Sequence, residues 1–215
     1  MSRFLAPIHT WLFNKIRVFE SIEVEVIVRY KLATGKDISE IVSANRAKFG
    51  DLLPELPLEE MIDQGNIHGW LQEKINVVEA RQAGIITALV ANEDGDLHDS
   101  IGEAYKSVAL KAAAELAEQV KNPDASEIYN LLNNYVLEGM PCDRVNAMIS
   151  QDADKVAWET TSCLHKKYWD AVDGDIENYY ALRTIFSYTF AQGLNKNYRY
   201  KFENENKMLH EIYKI

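Results

Sequence analysis

Two cysteines among 215 residues cannot build the dense disulfide framework of a small secreted domain. Prolines number five and glycines ten, with no low-complexity tract, which excludes long disordered linkers. The N-terminus has no charged segment leading into an apolar run and a small-residue cleavage site, so no leader is expected. No apolar stretch nears the roughly 20 residues that span a bilayer. Basic charge is scarce too: 23 Lys and Arg face 33 Asp and Glu, a net charge of −10, and no basic block occurs. Phosphate backbones are bound by clustered cations, so neither nucleic acid nor membrane is an expected partner. There is no phosphate-binding glycine loop, dinucleotide fingerprint, His-Glu-x-x-His or Gly-x-Ser-x-Gly. The expectation is a soluble cytoplasmic protein of ordinary globular composition, 47% apolar and 26% charged.

What is present is a repeat. Ile8-His9-Thr10-Trp11-Leu12-Phe13-Asn14-Lys15-Ile16-Arg17-Val18-Phe19-Glu20 returns 59 residues later as Ile67-His68-Gly69-Trp70-Leu71-Gln72-Glu73-Lys74-Ile75-Asn76-Val77-Val78-Glu79, identical at eight of thirteen positions without a gap. On a helix of 100° per residue the identities fill one broad face, from about −80° at Val18 to about 120° at Glu20 when Ile8 is zero. The differing Thr10, Phe13, Asn14 and Arg17 mostly lie opposite. Two segments offering one face to similar surroundings predict a duplicated helical unit.

The chain in order predicts helices over about 7–33, 37–49, 66–91, 97–121 and 124–138, with one turn at 58–62 in a proline-bearing connector. Asp37 with Glu40, Asn66 and Asp124 are the expected caps, Gly35, Gly50 and Gly139 the expected stops, and Asn92–Asp96 a turn. Ile38-Ser39-Glu40 and Ile101-Gly102-Glu103 echo each other weakly, which supports hairpins 1–60 and 61–122. After Pro141 the period changes to two: Val145–Ser150 and Val156–Thr160 read as a hairpin and Tyr198–Phe202 as a third strand. Helices are expected between them at about 162–172 and 175–192. The fold class is therefore mainly α: duplicated helical hairpins forming a bundle over 1–122, and an α+β module with a short antiparallel sheet over 123–215.

Cys163 is the foremost candidate for chemistry. It follows a predicted strand and opens a predicted helix, where unpaired amides and the positive dipole end stabilise a thiolate. His165 is the candidate base, although residues two apart point about 200° apart on a regular helix, so the dyad needs an irregular first turn. The alternative is a half-buried structural cysteine. Cys142, in the turn after Gly139, makes a three-ligand soft-metal site if it meets Cys163 and His165. His9/Glu20 and His68/Glu79 are further metal candidates, for zinc or iron. Parallel packing gathers His9 with His68 and Glu20 with Glu79, while antiparallel packing sets each histidine near the opposite glutamate. The bland reading is polar groups satisfied at a core edge. The aromatics of the last 60 residues, Trp158, Tyr179, Tyr180, Tyr200 and Phe202 among them, line either a ligand pocket or an ordinary core.

The run Asp152-Ala153-Asp154-Lys155-Val156-Ala157-Trp158-Glu159-Thr160-Thr161-Ser162-Cys163, with the later Arg183-Thr184 and Tyr200-Lys201-Phe202, resembles the C-terminal part of the L-2-amino-thiazoline-4-carboxylate hydrolase-like family. That family has proline after the cysteine, where this chain has Leu164, and cysteine in the closing strand, where it has Tyr200. The resemblance implies a shared module with Cys163 at a strand–helix corner and, for activity, hydrolysis of a C–N bond. Two functions thus stand as expectations: a small-molecule-binding protein acting through Cys163 and His165, or a non-enzymatic scaffold that binds metal or self-associates through its repeated face.

Overall fold

A computed structural model describes residues 5–92 and 99–215 of the chain. Helix α1 (Pro7–Thr34) opens on a proline, whose missing N–H needs no partner there, and closes at Gly35 in the left-handed conformation, φ 68°. Helix α2 (Ser39–Phe49) starts two residues later than expected. The Asp37 carboxylate accepts the Ser39 N–H at 3.0 Å, so it closes a turn ahead of the helix and the Glu40 capping box does not form. The single turn α3 (Leu58–Met61) sits in the connector. The Asn66 side chain caps α4 (Ile67–Ala91) by accepting the Gly69 N–H.

Most of the turn expected after Asn92, and the start of the next helix, lie outside the described residues. Helix α5 (Asp99–Ala117) ends before the expected Lys121. Helix α6 (Ala125–Leu132) has a complete capping box between Asp124 and Glu127, but stops six residues short of Glu138. Helix α7 (Lys166–Asp170) is one short turn, and α8 (Ile176–Leu194) is capped by Asp175.

The sheet has four strands, β1 (Asn146–Gln151), β2 (Lys155–Thr160), β3 (Tyr198–Asn204) and β4 (Met208–Lys214), all antiparallel in the order β1-β2-β4-β3. Three of them were expected. The fourth, β4, lies between β2 and β3 and, among the described residues, is the one strand that pairs with β3. Register places Val156 opposite Ile212 opposite Tyr200, and Trp158 opposite His210 opposite Phe202. These rows face the helices, while Lys155 pairs with Glu211 on the other face. A bulge between Met148 and Ser150 breaks the alternation expected for β1 and leaves Ile149 exposed.

Helix α1 runs parallel to α4. His9 meets His68, Glu20 meets Arg81 and Tyr30 meets Leu89, at sequence separations of 59, 61 and 59. The separation of the repeat is thus the separation of the contact. Trp11 and Trp70 are both half-buried, and the lysine four residues on from each lies over its ring: Lys15 at 3.7 Å and Lys74 at 5.3 Å. Helix α1 also packs on α5, and α2 on α4; α8 lies between α5 and β3, while α6 covers β2 and β4. One apolar core runs from Leu12 and Ile16 through Phe186 and Phe190 to Val156 and Ile212, so residues 1–122 and 123–215 share it. Among the described residues no helix is long and apolar enough to cross a membrane.

A buried cation ties the α1–α4 seam to the connector. Arg81, fully buried, binds Glu23 at 2.5 Å and Glu20 at 3.2 Å, and donates to the carbonyls of Gly50 and Asp51 at 3.0 and 2.8 Å. Glu20 also accepts the Leu53 N–H at 2.8 Å. Burial raises the Glu23 carboxyl above its ordinary range, and Arg81 opposes that shift.

Candidate functional site

The candidate site lies where α1, α4, α8 and the Gly139–Asn146 segment meet. Gly139 turns the chain at φ 70°, and a Cβ there would come within 2.3 Å of Leu164 Cδ1 and 2.6 Å of Asp143 Oδ2. The left-handed φ favours glycine at 139, and any other residue would also have to push aside the ends of the Leu164 and Asp143 side chains. Asp143 fixes its far side by accepting the Met140 N–H at 2.8 Å.

The structure redistributes the residues singled out in the sequence. Cys163 does not open a helix: α7 begins at Lys166, and the half-buried Cys163 Sγ accepts the Lys166 N–H at 3.3 Å. The cause is upstream. The Thr161 N–H and hydroxyl both bond the Val145 carbonyl, at 2.7 and 2.9 Å, which extends the strand pairing and postpones the helix. His165 turns into the protein instead of toward Cys163. Its Nδ1 lies 2.9 Å from Glu79 Oε1 and its Nε2 2.8 Å from the Tyr179 hydroxyl, with the His165 and Tyr179 rings stacked at 4.1 Å. A carboxylate only accepts, so Nδ1 donates to Glu79, while Nε2 shares a hydrogen bond with the Tyr179 hydroxyl.

Cys142 is exposed in the Pro141–Asp143 turn. Glu20 and Glu79 do not share a site: Glu20 serves Arg17, Arg81 and the connector, whereas Glu79 serves His165. His9 and His68 do meet, with their Nε2 atoms 3.3 Å apart. Among the described residues no three His, Cys, Asp or Glu side chains converge as a metal cage.

The polar chain continues beyond His165. Tyr179 accepts a bond from Arg183, whose guanidinium pairs with Glu138. Burial disfavours the Arg183 charge, but Glu138 and Tyr179 outweigh it and keep the group protonated. Burial, foremost, raises the Tyr179 hydroxyl well above its ordinary range, so it stays a neutral link. Arg183 also acts electrostatically on Tyr200 and His210. His210, stacked on Trp158, bonds the Tyr200 hydroxyl at 2.7 Å and Thr160 Oγ1 at 3.0 Å.

Lys15 stands at the other end of this chain. Its amine is buried against the Trp11 ring, beside a Glu138 already engaged by Arg183. Burial lowers its pKa to about 7; Glu138 pulls upward and Arg183 adds to the lowering. Lys15 and Glu138 line a cleft of about 240 Å³ with Trp11, Asn133, Arg144 and Asn146. Arg144, on the rim, has the left-handed φ of 50° that few non-glycine residues adopt. A second crevice of about 190 Å³, reaching Glu79, Asp143, Leu164 and Tyr168, opens across the same turn, and Gly139 borders both. A larger groove of about 610 Å³ between α1 and α2 is lined by Ile27, Ile38, Val42 and Ala47 among others and lies apart from this cluster.

Sequence reasoning missed Lys15 and Glu138; it gave Tyr179 only as one of many aromatics and Arg183 only within the family resemblance. A stronger signal existed for Lys15 and Arg183. Lys15 falls at about −20° on the repeated wheel, inside the apolar face, and Arg183 follows Leu182 on the stripe that continues to Phe186 and Phe190. A charge within an apolar stripe is either paired or functional. Set against known protein families, curated proteins and solved structures, the chain matches none.

Proposed function

We propose that this protein binds a small organic molecule carrying a carbonyl or carboxylate group, and that Lys15 is the residue that meets it. The observation that carries this reading is the Lys15 amine, buried on Trp11 in a 240 Å³ cleft whose neighbouring carboxylate is occupied by Arg183. A desolvated amine near neutrality is a nucleophile toward carbonyl carbon and a ready hydrogen-bond donor. The cleft is smaller than the roughly 300–1,000 Å³ of drug-sized sites, which points to a metabolite-sized ligand. Arg144, held on the rim, supplies a second cation for an acidic group. Hydrolysis at Cys163 is the less supported reading, since both ring nitrogens of His165 already have partners. The same-position pairing of α1 with α4 supports reading residues 1–122 as twin halves. Only the first half's lysine came to be buried; Lys74 pairs with Glu73 at the surface.

Labelling with dinitrofluorobenzene across pH, read by peptide mapping, tests the proposal. Lys15 is expected to label half-maximally near pH 7, well below the other lysines; a Lys15 profile like theirs sinks it. The sign of the stability effect follows. The folded amine titrates at about 7 against 10.5 when unperturbed, so burying the ammonium costs stability below pH 7 and the cost fades as pH rises to 10.5. Lys15→Met, which keeps the stem, is expected to be more stable at pH 7 by on the order of 1–3 kcal/mol and to lack that slope in urea unfolding.

A further inference from the structure

We infer that His9 and His68 form a zinc site that joins the first turns of α1 and α4. The two imidazoles come from the same position of the repeat, and the parallel packing brings their Nε2 atoms to 3.3 Å. As an N–H···N bond that separation is long, since nitrogen donors prefer about 2.9–3.0 Å. As the span between two ligands it fits a tetrahedral ion: nitrogens about 2.05 Å from such a metal lie about 3.3 Å apart. A square-planar ion such as copper(II) would set neighbouring nitrogens closer, at about 2.8–2.9 Å. The rings are tilted by 59° with centroids 5.3 Å apart, so stacking does not hold them.

The frame around the pair is firm. Phe13 meets Trp70 one turn along, with ring centroids 6.3 Å apart, and Arg81 clamps Glu20 and Glu23 further down the same seam. The histidines therefore do not have to be gathered by the ion. His68 is exposed and His9 half-buried, which leaves room for water on the open side of the metal. The net charge of −10 draws cations to the surface.

No third His, Cys, Asp or Glu joins the pair among the described residues, and His9 Nδ1 has no hydrogen-bond partner among them. Zinc there keeps two exchangeable positions, and among the described residues the His9 ring lacks the outer hydrogen bond that stiffens tight sites. This is an exchangeable surface clip, unlike a closed four-ligand structural site.

The test is zinc titration by calorimetry. It uses a C142S/C163S background, because thiols also take zinc. One zinc per chain is expected, with affinity reduced at least tenfold by adding His68→Gln or His9→Gln. Zinc should also raise the melting temperature of the background protein but of neither histidine variant, with circular dichroism confirming that the variants fold. Absence of zinc uptake in the background overturns the inference. So does uptake that survives both histidine substitutions, or that disappears when only the cysteines are replaced.

Discussion

His210 shows how a single buried ring couples the sheet to acidity. Burial first, and then the charge of Arg183, lower its pKa from 6.5 to about 2. Between those values the unfolded chain binds a proton that the folded chain refuses. Stability from this group is therefore complete above pH 6.5 and falls as pH drops, by up to about 1.4 kcal/mol per unit. Urea unfolding of the wild type and of His210→Gln at pH 5, 5.75 and 6.5 checks this. The variant is expected to be weaker at pH 6.5, having lost its bonds to Tyr200 and Thr160, and to have a flatter slope. Equal slopes would show that His210 does not titrate in this way. Lys15 and His210 differ in how readable they were. A lysine inside a repeated apolar face leaves a signal in the sequence, though one that was passed over, whereas a buried histidine in a strand shows only once its neighbours are known.

Among the elements, the turn at Gly139 is the hinge on which the site depends. Gly139→Ala forces a left-handed φ on alanine and drives its Cβ into Leu164 and Asp143, at an expected cost of about 1–3 kcal/mol. In a Leu164→Ala background part of that cost should vanish, since one of the two collisions is gone; a full, additive cost would locate the strain in the backbone alone. Thermal or urea unfolding of the four proteins completes the cycle.

Helix starts and stops were legible where a local cap decides them, as at Pro7, Asn66 and Asp124. They were not where a distant strand decides. Thr161 remains on Val145, so the helix waits until Lys166. Strand β4 was invisible for a related reason. Its Met208, Leu209, Ile212 and Tyr213 fall at helix-like spacing, and only pairing on both sides makes it extended, with His210 and Ile212 inward.

At the scale of the molecule, the repeat predicted that α1 and α4 share a face but left their direction open, and the candidate site was beyond reach. Lys15, Glu79, Glu138, His165 and Arg183 come from five separate segments, and no local pattern says that they converge. The Arg81 ion network is a buried polar tie across the parallel seam, alongside its apolar and ring contacts, so Arg81 carries a large share of its stability. Arg81→Ala leaves the buried Glu23 with only Arg46, 3.7 Å away, leaves Glu20 with Arg17 as its cation, and releases the carbonyls of Gly50 and Asp51. A loss of about 3–5 kcal/mol is expected by chemical denaturation. Adding Glu23→Gln should recover part of it, and no recovery would mean that the connector, not the charge, was the loss.

The strand order has a consequence for how the polypeptide is made. Since among the described residues β3 pairs as a strand only with β4, a ribosome that has delivered the first three strands has delivered two pieces with no strand pairing between them. Until residues 208–214 emerge, α6, which packs on both β2 and β4, has only part of its floor. Assembly of this half therefore waits on its latest-made strand, and a nascent chain paused before that point exposes Trp158 and Tyr200 to whatever chaperone is nearby.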